Sequence, residues 1–266
     1  RVIMRGAKSI EGDNNVLYVI DGIPIFNFSG GTDSGIMGEG RVSSEGIADL
    51  NPEDIESINV LAGPSAAALY GSNAANGAIL ITTKKGKEGR VEISFSSAAD
   101  FSSPLLMPEF QNKYGNKLGS YESWGEKLAT PSSYDPKKDF FRTGTNFINA
   151  LTVNTGNEFN QTFASVAATN SRGIVPNNTY DRYNFTIRNT TRMFKNKVQL
   201  DLGASYIKQK DNNMVSQGEY WNPIVAAYLF PRGESFEGIK TFERYDNVRN
   251  FPTQYWPISD SRFANQ

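Results

Sequence analysis

Residues 51–87 read NPEDIESINVLAGPSAAALYGSNAANGAILITTKKGK, and their reading decides the fold of the first third of the chain. Asn51 is a capping residue type, Pro52 suits a first helical turn, and Glu53 and Asp54 place negative charge at the positive end of that turn. Ile58, Val60 and Leu61 predict a strand, which Gly63 breaks. Pro64 to Tyr70 predicts a small Ala-rich helix with proline at its first position, stopped at Gly71. Ala78 to Thr83 (AILITT) is a short apolar, β-branched run of the kind found in buried strands, and it leaves through a basic exit, Lys84 to Lys87. The pattern is helix, strand, helix, strand, with glycine at the corners.

Upstream, Val2 to Met4 predicts a strand ending at Arg5-Gly6. Leu17 to Ile20 predicts a second one, turned by Asp21-Gly22 and Pro24. Residues 26–41 (FNFSGGTDSGIMGEGR) are Gly/Ser-rich and read as a loop, more simply a connector than a ligand site.

Downstream of Gly89 the texture changes, which marks a domain boundary between residues 1–88 and 89–266. Val91, Ile93 and Phe95 alternate with Glu92, Ser94 and Ser96, the period of a strand with two unlike faces. Residues 101–146 are long and irregular. Strands then return in pairs. Ile148 to Thr155 joins Gln161 to Asn170 through Gly156-Asn157, and Arg182 to Thr191 joins Val198 to Lys208 through residues 194–197. Tyr183, Phe185 and Ile187 share one face. So do Val198, Leu200, Leu202, Ala204 and Tyr206. Arg182, Asn184, Thr186 and Arg188 take the other face of the first of these strands, and Gln199, Asp201 and Ser205, with Gly203, that of the second.

The connections run long, short, medium, short, long. Transmembrane barrels have this asymmetry, with short periplasmic turns and longer extracellular loops. A soluble antiparallel sandwich shows the same alternation, so alternation alone leaves both open. A plugged transporter barrel has about 22 strands, and the five or so strands legible here do not close a cylinder. The expectation is therefore a fragment of a larger barrel.

Composition narrows the chemistry. The chain has 266 residues, no Cys, no His and a net charge of −1. Without His there is no Ser-His-Asp triad and no His metal site. Without Cys there are no disulfides, zinc thiolates or thiol nucleophiles. The near-neutral charge argues against a nucleic-acid binder. A mean hydropathy of −0.46 is compatible with barrel strands, which alternate polar and apolar residues. The stretch Gly71 to Gly77 lacks the Lys-Ser/Thr of a phosphate loop, and Gly63 to Ala67 lacks the second glycine of a nucleophile elbow. No catalytic constellation emerges, and an enzyme is not expected.

The quoted stretch resembles the plug of TonB-dependent outer-membrane receptors. SAAALYG, NAANG and ILITTKKGK are similar to the SusC/RagA branch, as are VIMRG (Val2 to Gly6) and NVLYVIDGIP (Asn15 to Pro24), in the same order. These blocks span about a third of the chain, far more than one short motif. Ala62-Gly63-Pro64 departs from the charged step usual in that branch and is closer to the wider family.

The resemblance implies a large antiparallel transmembrane β-barrel, partial here, with a small α+β plug in its lumen, in the outer membrane of a Gram-negative bacterium. Residues 1–88 would be plug and 89–266 the first barrel strands and extracellular loops. It implies import of an oligosaccharide or peptide, energised by TonB and its inner-membrane complex, with a SusD-like surface lipoprotein as lid. Siderophore uptake, or a structural barrel subunit of a larger assembly, are the alternatives. No cofactor is implied, and a structural Ca²⁺ on loop carboxylates is compatible but not indicated.

In the resembled receptors, ionic contacts hold plug to barrel. Arg5 and Glu56 are the charges chosen for that role, against a reading as solvated charges at element ends. The loop aromatics Tyr121, Trp124, Tyr220, Trp221, Tyr255 and Trp256 form the substrate-contact group, against loop packing or an interfacial aromatic belt. The triplets Asn184-Phe185-Thr186 and Asn189-Thr190-Thr191 read as polar lumen-facing positions.

Overall fold

The computed structural model describes residues 2–4, 14–25, 47, 50–117, 124–212, 222–236, 243–246 and 251–254. Two sheets account for most of it. The smaller has four strands in the order β2-β1-β4-β3: β1 Leu17–Ile20, β2 Ile23–Ile25, β3 Ile55–Leu61 and β4 Ala78–Thr83. β1 runs parallel to β4, and the other pairs are antiparallel. Residues 2–4 are irregular rather than the predicted strand. They meet the sheet through the Val16 amide, which donates to the Val2 carbonyl over 3.2 Å.

Local chemistry shapes this unit as read. The Asn51 Oδ1 accepts from the Glu53 amide at 3.2 Å and caps a single 3-10 turn, Pro52–Asp54. Helix α1, Gly63–Tyr70, ends at Gly71. It buries Ala66 against Leu17, Val19 and Ala78, and the small alanines let the helix lie close to the sheet. The other face of the sheet carries Val16, Tyr18 and Ile81. Apolar packing on both faces explains why β1 and β4 read as continuous apolar runs instead of alternating ones.

The larger sheet is a five-stranded antiparallel meander: β5 Gly89–Ser102, β6 Gly144–Gly156, β7 Asn160–Arg172, β8 Thr179–Met193 and β9 Val198–Asn212. The short turns, residues 157–159 and 194–197, lie at one end together with the start of β5. The longer connections, which leave β5 after Ser102 and β7 after Arg172, begin at the other. Every strand exceeds its apolar stretch, because ladder hydrogen bonds continue through Asn, Thr and Ser at the ends. Each is longer than the 9–11 residues or so that cross a bilayer.

Register fixes the two faces of this wall. Phe95, Leu151, Val166, Phe185 and Tyr206 are successive cross-strand partners in one row. All are exposed, and with Ile93, Ile187 and Leu202 they make an apolar outer belt. The opposite face carries Ser94, Thr152, Ser165, Thr186 and Ser205 in the adjacent row. On that face Phe163, Ser165 and Ala167 are buried. Asn184 and Thr186 lie on it as expected. Asn189 and Thr191 do not: they sit on the outer face near the turns, where Asn189 Nδ2 donates to Thr162 Oγ1 at 2.8 Å and Asn160 Nδ2 to Thr191 Oγ1 at 2.8 Å. Below the apolar belt, polar outer-face residues pair with one another.

Candidate functional site: the seat between the two sheets

The four-stranded sheet meets the wall through an alternating row of charges. Asp21 stands in the turn between β1 and β2, where Asp21 and Gly22 have φ of 50° and 85°. Two successive positive φ values favour an Asp-Gly pair, and they turn the chain back within two residues. The Asp21 carboxylate faces the end of β4. It accepts from the Thr83 amide at 2.9 Å and the Thr83 hydroxyl at 2.7 Å. From the wall, Arg188 of β8 reaches the same carboxylate, with Nη2 2.9 Å from Oδ2. Arg188 Nη1 also donates to the Thr83 hydroxyl oxygen.

The row continues. Arg188 Nε lies 3.9 Å from Asp201 of β9, and Asp201 accepts from Lys85 Nζ at 2.6 Å. Plug-side Asp21 and Lys85 therefore alternate in sign with wall-side Arg188 and Asp201. Gly203 is the cross-strand partner of Arg188. Without a side chain there, the guanidinium can lie along β9 toward Asp201. Arg188 and Asp21 are 18% and 20% exposed, dry enough for the pair to outweigh a solvated surface bridge. Burial works to raise the Asp21 carboxyl. The hydrogen bonds from Thr83 and Arg188, and the Arg188 charge, outweigh it and hold the carboxyl below its ordinary value. An open cleft of about 290 Å³ beside Val19, Tyr70 and Lys85 brings water to the edge of this row.

A neutral staple adjoins the charges. Asn154 of β6 accepts the Lys87 amide at 2.8 Å and donates to the Lys85 carbonyl at 3.5 Å. Between those two residues lies Gly86, where a Cβ would fall 2.4 Å from the backbone of Gln161 and Thr162. The irregular exit segment after β4 thus lies directly on β7. At the other side, Ser96 of β5 donates to Glu53 at 3.1 Å.

Of the charges chosen from sequence, Glu56 is exposed on β3 and meets Lys87 at 3.7 Å. It makes no ion pair to the wall among the described residues. Arg5 lies outside the described residues, as do Tyr121, Tyr220, Trp221, Tyr255 and Trp256. Trp124 is described and exposed, with its ring 5.7 Å from that of Tyr114. Asp21, Arg188 and Asp201 were not singled out. The signal for the last two was available, since period-2 alternation puts both on the polar face of their strands.

A sheet seated by charges on one face of an antiparallel wall, whose other face is apolar, is the geometry of a plug in a membrane barrel. The TonB-dependent receptor plug domain family matches residues 1–78. The TonB-dependent receptor SusC of Bacteroides thetaiotaomicron is 30% identical over 79% of this chain. The chain belongs to the SusC/RagA-type TonB-dependent receptors. The TonB-dependent receptor P26 of Formosa agariphila is 28% identical over 89% of the chain. Among solved structures, the RagAB peptide importer in its open-open state superposes on 76% of the chain with a TM-score of 0.54 at 20% identity, a likeness of fold. The chain spans 20% of the length of SusC and 25% of that of the RagAB chain. Members of this receptor family are outer-membrane β-barrels and not enzymes. In those terms the four-stranded sheet is the plug and the meander is barrel wall. The Asp21–Arg188–Asp201–Lys85 row joins this receptor's plug to its barrel.

Proposed function

We propose that this receptor imports an oligosaccharide or peptide across the outer membrane of a Gram-negative bacterium, energised by TonB, with a SusD-like lipoprotein over its extracellular loops. The observation that carries the reading is the seat of the plug. Among the described residues the contacts between Asp21 and Arg188 are polar, and an open cleft lined by Asp21 and Lys85 borders them. Water can replace each hydrogen bond as it breaks, so a pull on the plug meets a modest barrier. A plug meant only to seal would be fixed by apolar packing instead. In this reading the turns at residues 157–159 and 194–197 face the periplasm, and residues 103–117, 124–143 and 222–236 face outward. The row of charges then lies toward the periplasmic side.

The test is uptake of labelled oligosaccharides and peptides by cells carrying the full-length receptor, with and without a protonophore. Uptake that needs the receptor and stops when the proton gradient collapses supports the reading. Uptake indifferent to the gradient, or a receptor that supports none while assembling with other outer-membrane proteins, favours a structural subunit.

A further inference from the structure

Register draws a slanted line of rings across the outer face of the wall. Phe101 of β5, Phe147 of β6, Tyr183 of β8 and Tyr206 of β9 are all exposed there. Phe101 pairs with Thr145, and Phe147 stands one row nearer the short turns, opposite Ala99. The row of Ala168 and Tyr183 is the next one down, and that of Phe185 and Tyr206 the next again. Barrel strands tilt by about 35–45°, so each crosses the membrane plane at a different register. The line is therefore level in the membrane, an aromatic girdle at the end of the wall away from the short turns. Below it lie the apolar side chains of the belt, among them Phe95, Ile187 and Leu202.

Just above the girdle the same face turns basic. Lys208 and Lys210 follow Tyr206 at period two, so the three side chains share the lipid-facing side of β9, while Gln209 and Asp211 take the other. Both lysines are exposed. Lys208 stands opposite Tyr183, and Lys210 opposite Asp181. The Asp181 carboxylate accepts from Asn170 Nδ2 at 2.7 Å. Neither lysine makes an ion pair among the described residues. Arg172 of β7 lies on this face one row above Asp181, opposite Thr179, and is exposed as well. Three cations thus face one carboxylate at the upper edge of the belt.

The neutral groups beside them are hydrogen-bond donors. Asn170 Nδ2 donates to the Tyr183 hydroxyl oxygen at 3.2 Å, which leaves the phenol's own hydrogen for an incoming oxygen. A lysine at a membrane boundary keeps its stem along apolar surface and its ammonium among the headgroups. Basic side chains placed there attract anionic headgroups.

We infer that this strip of the outer face seats an acylated, phosphate-bearing sugar lipid of the outer leaflet. Lys208 and Lys210, about 7 Å apart along β9, take the phosphate. Tyr183 donates to the sugar, and the acyl chains lie down the belt over Tyr206 and Leu202. A soluble sugar phosphate would leave the apolar belt below the lysines uncovered, so the ligand that meets both features is a lipid. The inference rests on the barrel orientation in the reading above, and not on import.

The test is native mass spectrometry of the purified full-length receptor, delipidated in detergent. It is titrated with monophosphoryl lipid A, with the same lipid after removal of its phosphate, and with glucosamine phosphate as a soluble competitor. The phosphorylated lipid binds about tenfold or more tighter than the dephosphorylated one, as two lysines at an anionic surface require, and less tightly as salt rises. Glucosamine phosphate does not displace it at equal concentration. Lys208→Gln with Lys210→Gln removes the preference for phosphate while the receptor keeps its folded mobility in cold SDS. Arginine at both positions retains it. Lys195→Gln with Lys197→Gln, at the opposite end of the wall, leaves it unchanged. Equal binding of the two lipids, displacement by glucosamine phosphate, or a preference that survives the Lys208 and Lys210 changes overturns the inference. So does a loss as large from the Lys195 and Lys197 changes. Lipid binding is read without transport, so this result and the uptake result fail independently.

Discussion

Arg188 of the barrel wall and Asp21 of the plug lie 2.9 Å apart, guanidinium to carboxylate, although they belong to different sheets. Thr83 bridges them, donating to Asp21 and accepting from Arg188. The plug is thereby attached to the barrel through a shared, mostly dry hydrogen-bond network. Removing Arg188 would leave the Asp21 carboxylate without its cation, and removing Asp21 would leave Arg188 with only the longer contact to Asp201, at 3.9 Å.

A double-mutant cycle measures that attachment. Asp21→Asn and Arg188→Gln should each destabilise the plug, and together they should cost less than their sum, with a coupling of about 1–2 kcal/mol. Protection of the plug from protease in detergent is the readout. Strict additivity would show that the two residues are neighbours without being partners.

The same contact carries a pH signature. The Asp21 carboxyl lies below its ordinary value of 3.8. Its contribution to stability is therefore complete above that value and is lost as pH falls through the lower, folded one. Plug protection should drop in acid in the wild type below about pH 4, and the Asp21→Asn receptor should lack that component. An identical acid profile in both would assign the loss to other carboxylates.

Gly86 tests how close the exit segment lies to the wall. A methyl group would meet the backbone of Gln161 and Thr162 at 2.4 Å, while Asn154 ties the neighbouring Lys85 and Lys87 to the wall. Gly86→Ala should cost about 1–3 kcal/mol and lower the yield of receptor that resists unfolding in cold SDS. Gly203→Ala, whose Cβ would sit at an ordinary 3.6 Å from Arg188, should fold with little loss.

The two faces of β9 separate by substitution. Leu202→Arg places a charge in lipid and should cost up to about 2–4 kcal/mol. Ser205→Arg, on the inner face, should cost far less. Urea unfolding in lipid vesicles compares them, and equal costs would contradict the assignment of faces.

Much of this was legible in the chain. Pro64, Gly71 and Asp21-Gly22 act on their own backbone dihedrals, so α1 and the first turn are near-neighbour effects. The alternation of Tyr183, Phe185 and Ile187 with polar residues states which side chains share a face. Strand ends are not legible, because Asn, Thr and Ser keep the ladder without continuing the apolar pattern. The apolar run Val2 to Met4 predicts a strand that does not form, because apolar composition does not reveal whether a pairing edge is free.

Sequence alone therefore determined most of the elements, the two-faced wall and the family, all written in local periodicity and short motifs. It did not determine which charges meet. Arg188 and Asp201 are two polar-face residues among many, and Asp21 looks like an ordinary turn aspartate. Glu56 has similar credentials and ends exposed beside Lys87. Selection among them depends on strand register and on where one sheet docks against another. Those are set by the summed packing of residues distant in the chain, and they decide which charge loses its water and must find a partner.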